Sequence, residues 1–237
     1  MTIDVYIIGM SNTDAIRAAL ADYKGPVTFH IDRLNPRLEN GGFFQKQFDP
    51  DFFRERLTQA SLVVLSLWGN WYNTLALVEH AEPFDFVYPS FDERVDETRR
   101  IIPFMQISRS FRNGIREQLR MLNILRPMTR EKMILLEPPP PIESEDHIRK
   151  YPGPFVEALS AGITPANIRL KLWKLQSSMY VESCAEHGID FIPFPPEATS
   201  DKGFLAPDYC FPDPGHANAR YGNIMLDELA EILRGLK

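Results

Sequence analysis

Short runs of apolar residues alternate along this chain with longer stretches in which apolar positions recur every three or four residues. Residues 3–8, 27–31, 62–67, 133–136 and 189–194 are compact apolar runs, most of them bounded by Gly, Pro or charged residues, and they read as buried strands. Between them, Ile16, Ala19, Leu20 and Tyr23 fall at i, i+3, i+4 and i+7 behind Asn12 and Thr13, either of which suits a helix cap. Phe53, Leu57 and Ala60 follow the start signal Asp49-Pro50, the pattern over 106–125 runs up to Pro127, 165–187 ends at Gly188, and 220–236 forms a last helix. Repeated strand–helix alternation predicts an α/β fold, a five-stranded parallel sheet in three layers, because parallel neighbours need crossovers and the helices then cover both faces. The commonest order, 2-1-3-4-5, places strands 1 and 3 side by side and puts the expected ligand site at their carboxyl ends, in the loops after Ile8 and Leu67.

Two segments exceed the usual 2–6 residues of an α/β connection: 82–105, and 137–154 with its run Pro138-Pro139-Pro140-Pro141. They are expected either to cover the site or to pack on the core as surface excursions within one domain spanning 1–237.

Composition narrows the partners. Against 26 Lys and Arg stand 32 Asp and Glu, a net charge of −6, so there is no excess of cations to neutralise a polyanion, and nucleic acid and acidic membrane surfaces are disfavoured. Cys184 and Cys210 can make at most one bridge and are expected as free thiols in a reducing compartment. The amino-terminal run carries Asp4 and no basic residue ahead of it, which suits a buried strand better than a signal peptide, and no apolar stretch approaches a membrane span. The expected location is cytoplasmic.

The first site loop, Gly9-Met10-Ser11-Asn12-Thr13, leads straight into a helix, so Ser11 sits among unpaired backbone N–H groups, as nucleophile or as cap. A second glycine is missing, which excludes the dinucleotide fingerprint, and Thr13 stands where a G-x-S-x-G elbow needs glycine. The second loop, Trp68-Gly69-Asn70-Trp71-Tyr72-Asn73, lies beside Ser11 in this strand order, and the Asn70 amide suits an oxyanion donor as well as a turn. His30, His80, His147 and His187 show no zinc spacing and read as surface or structural residues. His216 differs: in Asp213-Pro214-Gly215-His216 a carboxylate precedes the imidazole across a turn that can bring it onto the ring nitrogen facing away from a nucleophile. The loop leading to it is long enough to cross from strand 5 to Ser11.

Gly9-x-Ser11-Asn12 after strand 1, Gly69-Asn70 after strand 3 and Asp213-x-x-His216 before the last helix resemble the SGNH (GDSL-like) hydrolase superfamily over essentially the whole chain. The resemblance implies a flavodoxin-like sandwich, Ser11 as nucleophile, Asp213 and His216 as its partners, and an oxyanion hole formed by Asn70 and the Ser11 N–H. Two positions depart from the pattern: Met10 replaces the usual acidic residue before the nucleophile, and the family's second-block glycine is matched by Gly41 or Gly42. The activity implied is ester hydrolysis through an acyl-enzyme, without cofactor or metal, on a small-molecule or glycan ester, with Trp68, Trp71 and Tyr72 as a stacking surface for substrate. The alternatives are an O-acyltransferase using the same intermediate and a binding module that keeps the fold without turnover.

Overall fold

The computed structural model describes residues 3–34, 50–67, 71–89 and 95–236. In chain order the elements are β1 (Ile3–Gly9), α1 (Thr13–Leu20), β2 (Phe29–Arg33), α2 (Pro50–Gln59), β3 (Ala60–Ser66), α3 (Trp71–Ala76), β4 (Phe84–Asp85), β5 (Arg100–Ile101), α4 (Phe104–Gly114), α5 (Arg116–Leu125), β6 (Lys132–Leu136), α6 (Glu145–Lys150), α7 (Ala166–His187), β7 (Asp190–Ile192) and α8 (Ala219–Arg234). Five of the strands form one parallel sheet of order β2-β1-β3-β6-β7, the predicted 2-1-3-4-5 arrangement.

The apolar runs are continuous because the sheet is covered on both sides. Tyr6, Ile8, Val63, Leu65, Met133 and Leu135 face a core shared with α2, α3, α4, α5 and α7. Their neighbours Val5, Ile7, Leu62, Val64, Ile134 and Leu136 face the other way, toward α1 and α8. Both faces of β1, β3 and β6 are therefore spent on packing, and the free functional surface is the carboxyl edge of the sheet.

Several expectations shift in detail. Ala60 pairs with Ile3 as the first residue of β3 rather than ending the preceding helix. The periodic stretch 106–125 is two helices, broken at Ile115, where the indole of Trp71 fills the space into which a side chain at Gly114 would project. Gly188 adopts a left-handed conformation and closes α7, as predicted.

Neither long segment lines the space beside Ser11 among the described residues. The described part of 82–105 contributes a two-stranded parallel sheet, β4 with β5, tied to α7 through an ion pair between Asp85 and Lys171, both essentially inaccessible. Asp85 also accepts the N–H groups of Phe86 and Asp96 at 2.7 and 2.9 Å, and Lys171 donates to the Phe86 carbonyl at 3.2 Å. Residues 138–142 are buried, and side chains bind three of their carbonyls: Trp173 Nε1 donates to Pro138 at 3.0 Å, the Tyr72 hydroxyl to Pro139 at 3.2 Å, and Arg169 to Ile142 at 2.6 Å.

Helices α1 and α8 meet at Gly222, where an added Cβ would lie 2.1 Å from the Ala15 carbonyl oxygen. Such an approach tolerates no side chain. Ser11 immediately precedes the turn into α1, and His216 lies just before α8, so this contact sets how near the two come. Gly222→Ala is expected to lower unfolding free energy by about 1–3 kcal/mol through overpacking, read from urea denaturation. An unchanged midpoint would show that the helices have room to part.

Candidate active site

Beyond the end of β1 the chain turns through Met10 and Ser11 into α1, with the Met10 N–H donating to Ser66 at 3.1 Å and the Thr13 hydroxyl donating back to Met10 at 2.6 Å. Met10, in place of the acidic residue of the resembled family, is buried. Ser11 is half-buried. Its side chain does not cap the helix. Asn12 holds the cap position without a side-chain cap bond, and Ser11 Oγ instead lies 2.8 Å from His216 Nε2. The Ser11 backbone N–H donates to no described residue.

His216 is held from its other side by Asp213, whose Oδ2 is 2.6 Å from Nδ1. Because a carboxylate only accepts, Nδ1 carries the proton, Nε2 of the neutral ring is left as an acceptor, and the Ser11 hydroxyl donates to it. The second carboxylate oxygen accepts the N–H groups of Gly215 and His216, both at 2.8 Å. Burial pushes the Asp213 carboxyl up, but the imidazole and these backbone donors outweigh it and hold the group below the usual carboxylate range. The loop is closed by the Phe211 N–H donating to His216 at 2.9 Å and by a bridge between Cys210 and Ala217. At its end Asn218 caps α8, accepting from the Arg220 N–H at 2.9 Å.

A groove of about 720 Å³ opens beside Ser11 and His216. Ala15, Ala18, Phe211 and Pro212 give it apolar walls, and Arg33 and Asp14, paired at 3.0 Å, stand within its lining. A hollow of about 830 Å³ lies against the opposite end of β1, between Asp4, Lys24, Asp227 and Arg234, away from this cluster.

The structure thus brings Ser11, Asp213 and His216 together. Asn70, Gly41, Gly42 and Trp68 lie outside the described residues. The expectation that Trp71 and Tyr72 form a stacking surface needs correction. Tyr72 is fully buried, its hydroxyl given to Pro139, and Trp71 packs against Gly114 on the core of the other face. Among the described residues the aromatic ring in the groove is Phe211, 46% exposed. Both cysteines are free, and burial pushes the Cys210 thiol up to about 11.

Three histidines are occupied away from the groove. His30 contacts Asp32 and Arg56, His80 the Leu75 carbonyl, and His187 Asn123 and the Ser183 carbonyl. His147 is likewise a structural residue, and its partners lie at the site: its Nε2 is 3.0 Å from the Phe211 carbonyl and 3.1 Å from that of Asp213. The local sequence signal is a short helix start, Ser144 followed by Glu145 and Asp146. Nothing local pointed to a partner more than sixty residues away.

No family model and no curated protein matches the sequence. Solved structures share its fold. The chain aligns over 98% of its length with 84% of the periplasmic domain of a lipopolysaccharide acetyltransferase from Salmonella ser. Paratyphi A, at 13% identity and a TM-score of 0.52. It aligns over 98% with 85% of a Streptococcus pneumonia protein designated a platelet activating factor, at 14% identity and 0.51. A Bacteroides fragilis protein designated an acylhydrolase is covered over 92% by the whole chain, at 15% identity and 0.50. At these identities the likeness is one of fold, an α/β sandwich common to all three.

The Asp213 charge makes a contribution to stability with a definite sign. A carboxyl held below its ordinary value adds stability above the ordinary carboxylate pKa of about 3.9, and that stability is lost as pH falls through this value and the depressed one. Wild type is therefore expected to exceed Asp213→Asn in urea stability by a margin that shrinks from about pH 4 downward. A margin independent of pH would mean that the charge is not what the loop holds.

Proposed function

We propose that the protein is an SGNH-type serine ester hydrolase working through an acyl-enzyme. The observation that carries the proposal is the continuous chain from Ser11 Oγ to His216 Nε2 and from His216 Nδ1 to Asp213, at the carboxyl edge of the sheet and open to a groove. A binding module of the same fold would have no use for such a relay.

The chemistry follows from the donors and acceptors. Ser11 Oγ attacks the ester carbonyl while His216 Nε2 takes its proton, giving a tetrahedral oxyanion and an imidazolium stabilised by Asp213. Collapse breaks the ester C–O bond, the alkoxide leaves with the proton from Nε2, and the acyl group remains on Ser11. Water then attacks, its proton passing to His216 and on to Ser11 Oγ as the acid departs. The Ser11 N–H and the Asn70 amide are the oxyanion donors in this scheme, with Gly42 as the third candidate. Short acyl groups on a sugar or other small alcohol are the proposed substrates, with Phe211 in place of Trp71 and Tyr72 as a ring against which the alcohol rests.

Ser11→Ala is expected to abolish hydrolysis of p-nitrophenyl acetate. Its melting temperature should stay within about 2–4 °C of wild type, since a single part-exposed hydrogen bond contributes about 1 kcal/mol. Retained activity would overturn the assignment of the nucleophile. Asp213→Asn should lower kcat by up to about 10⁴-fold, because an amide can hold the wrong imidazole tautomer. Asn70→Ala should lower kcat by about 10²–10³-fold with little effect on KM, since the oxyanion exists only in the transition state. A change confined to KM would move Asn70 to ground-state binding.

A further inference from the structure

The loop that carries Asp213 and His216 is poor in its own backbone donors. Its sequence Phe211-Pro212-Asp213-Pro214-Gly215-His216 contains two prolines, neither of which has an N–H. The carbonyls of Phe211 and Asp213, on either side of Pro212, both face the Nε2 of His147, at 3.0 and 3.1 Å. One imidazole N–H therefore donates to two carbonyls in a three-centre bond. Phe211 also accepts from the Asp213 N–H at 2.7 Å, whereas no other described donor bonds the Asp213 carbonyl.

His147 is itself fixed. It lies on α6, whose cap residue Ser144 accepts the His147 N–H at 3.1 Å, and its ring packs on Tyr151 with centroids 5.0 Å apart. The segment leading into α6 is gripped by Arg169 of α7 through Ile142 at 2.6 Å and Glu143 at 3.3 Å. A second contact joins the same segment to the loop. Gly153, at φ +54°, lies against Pro214, where an added Cβ would come within 3.3 Å of the ring. The proline-rich segment thus braces the loop, and His147 takes no part in lining the groove.

We propose that His147 is a positioning residue: its Nε2–H fixes the main chain on either side of Pro212 and thereby holds Asp213 and His216 in line with Ser11. This rests on the relay assigned above, because only a reaction through His216 makes the loop's position matter for rate. A displacement of the order of 1 Å at such a group can lower rates by about 10²-fold.

Three variants separate the N–H from the ring. His147→Phe keeps the aromatic packing and removes the donor. His147→Gln places an amide N–H near the position of Nε2. His147→Asn keeps a polar side chain on the helix that falls short of both carbonyls. With p-nitrophenyl acetate, Phe and Asn are expected to lower kcat by about 10- to 100-fold with KM within about twofold, and Gln to restore most of the loss. A substrate-independent readout accompanies this: the far-downfield proton resonance of the His216 Nδ1–H bonded to Asp213 should shift or broaden in the Phe and Asn variants and stay in place in Gln. Unchanged kcat and resonance in Phe and Asn would overturn the proposal, as would equal impairment of all three, which would indicate ring packing. If Phe fails to fold, Asn decides against Gln. Ser11→Ala run in parallel tells the two readings apart: activity surviving in Ser11→Ala removes the relay, whereas its loss with a normal His147→Phe removes only the brace.

Discussion

Proline deletes a backbone donor and keeps its carbonyl, and four prolines in succession at Pro138–Pro141, buried beside the sheet, leave acceptors that only the rest of the chain can satisfy. Trp173, Tyr72 and the Leu205 N–H bind the carbonyls of Pro138, Pro139 and Pro141, and Arg169 binds those of Ile142 and Glu143 just beyond. An unsatisfied buried carbonyl is unfavourable by about 1–3 kcal/mol, so these bonds dictate where the segment runs. They also fix what it delivers. The segment leaves β6 at the carboxyl edge, is fastened to α3 and α7, and sets down α6 and Gly153 against the loop that bears His216.

Ser11 and His216 are 205 positions apart in sequence and 2.8 Å apart in space. Two constraints meet there. One is the sheet order, which makes β1 an interior strand and directs its exit loop to the carboxyl edge between β2 and β3. The other is the tight α1–α8 contact at Gly222, which brings the loop ahead of α8 over the turn ahead of α1. Electrostatics then specifies the ring. Asp213 gives one oxygen to two backbone N–H groups and the other to Nδ1, so loop geometry and imidazole tautomer are set by one carboxylate.

What sequence reveals follows from the range of the forces involved. Strand positions were legible because burial on both faces writes continuous apolar runs, their order followed from the commonest arrangement of such a sheet, and Asp213-x-x-His216 was legible because its carboxylate and ring meet within one turn. The fate of Tyr72 and Trp71 was not, because an aromatic residue after a strand reads alike whether it faces a ligand, a proline carbonyl or a glycine on another helix. The break at Ile115 was hidden for the same reason: the periodic pattern continues through it, and the indole that occupies the space beside Gly114 comes from α3. His147 looked solitary because its partners are carbonyls, which every residue has and no side-chain pattern marks.

The long helix α7 turns these separate devices into one support. Its apolar residues are distributed around its whole girth, yet it also buries Arg169 and Lys171. A buried cation carries a desolvation penalty of several kcal/mol, which only well-placed oxygens can offset. Arg169 finds carbonyls on the proline-rich side, and burial holds its guanidinium down to about 10. Lys171, two residues on, finds Asp85 and the Phe86 carbonyl in the 82–105 excursion. Neither long segment can detach from α7 without leaving a charge buried and unpaired. The two excursions beyond the minimal fold are therefore bound to the same helix by the same physics, and the one that reaches the His216 loop inherits the rigidity of the core.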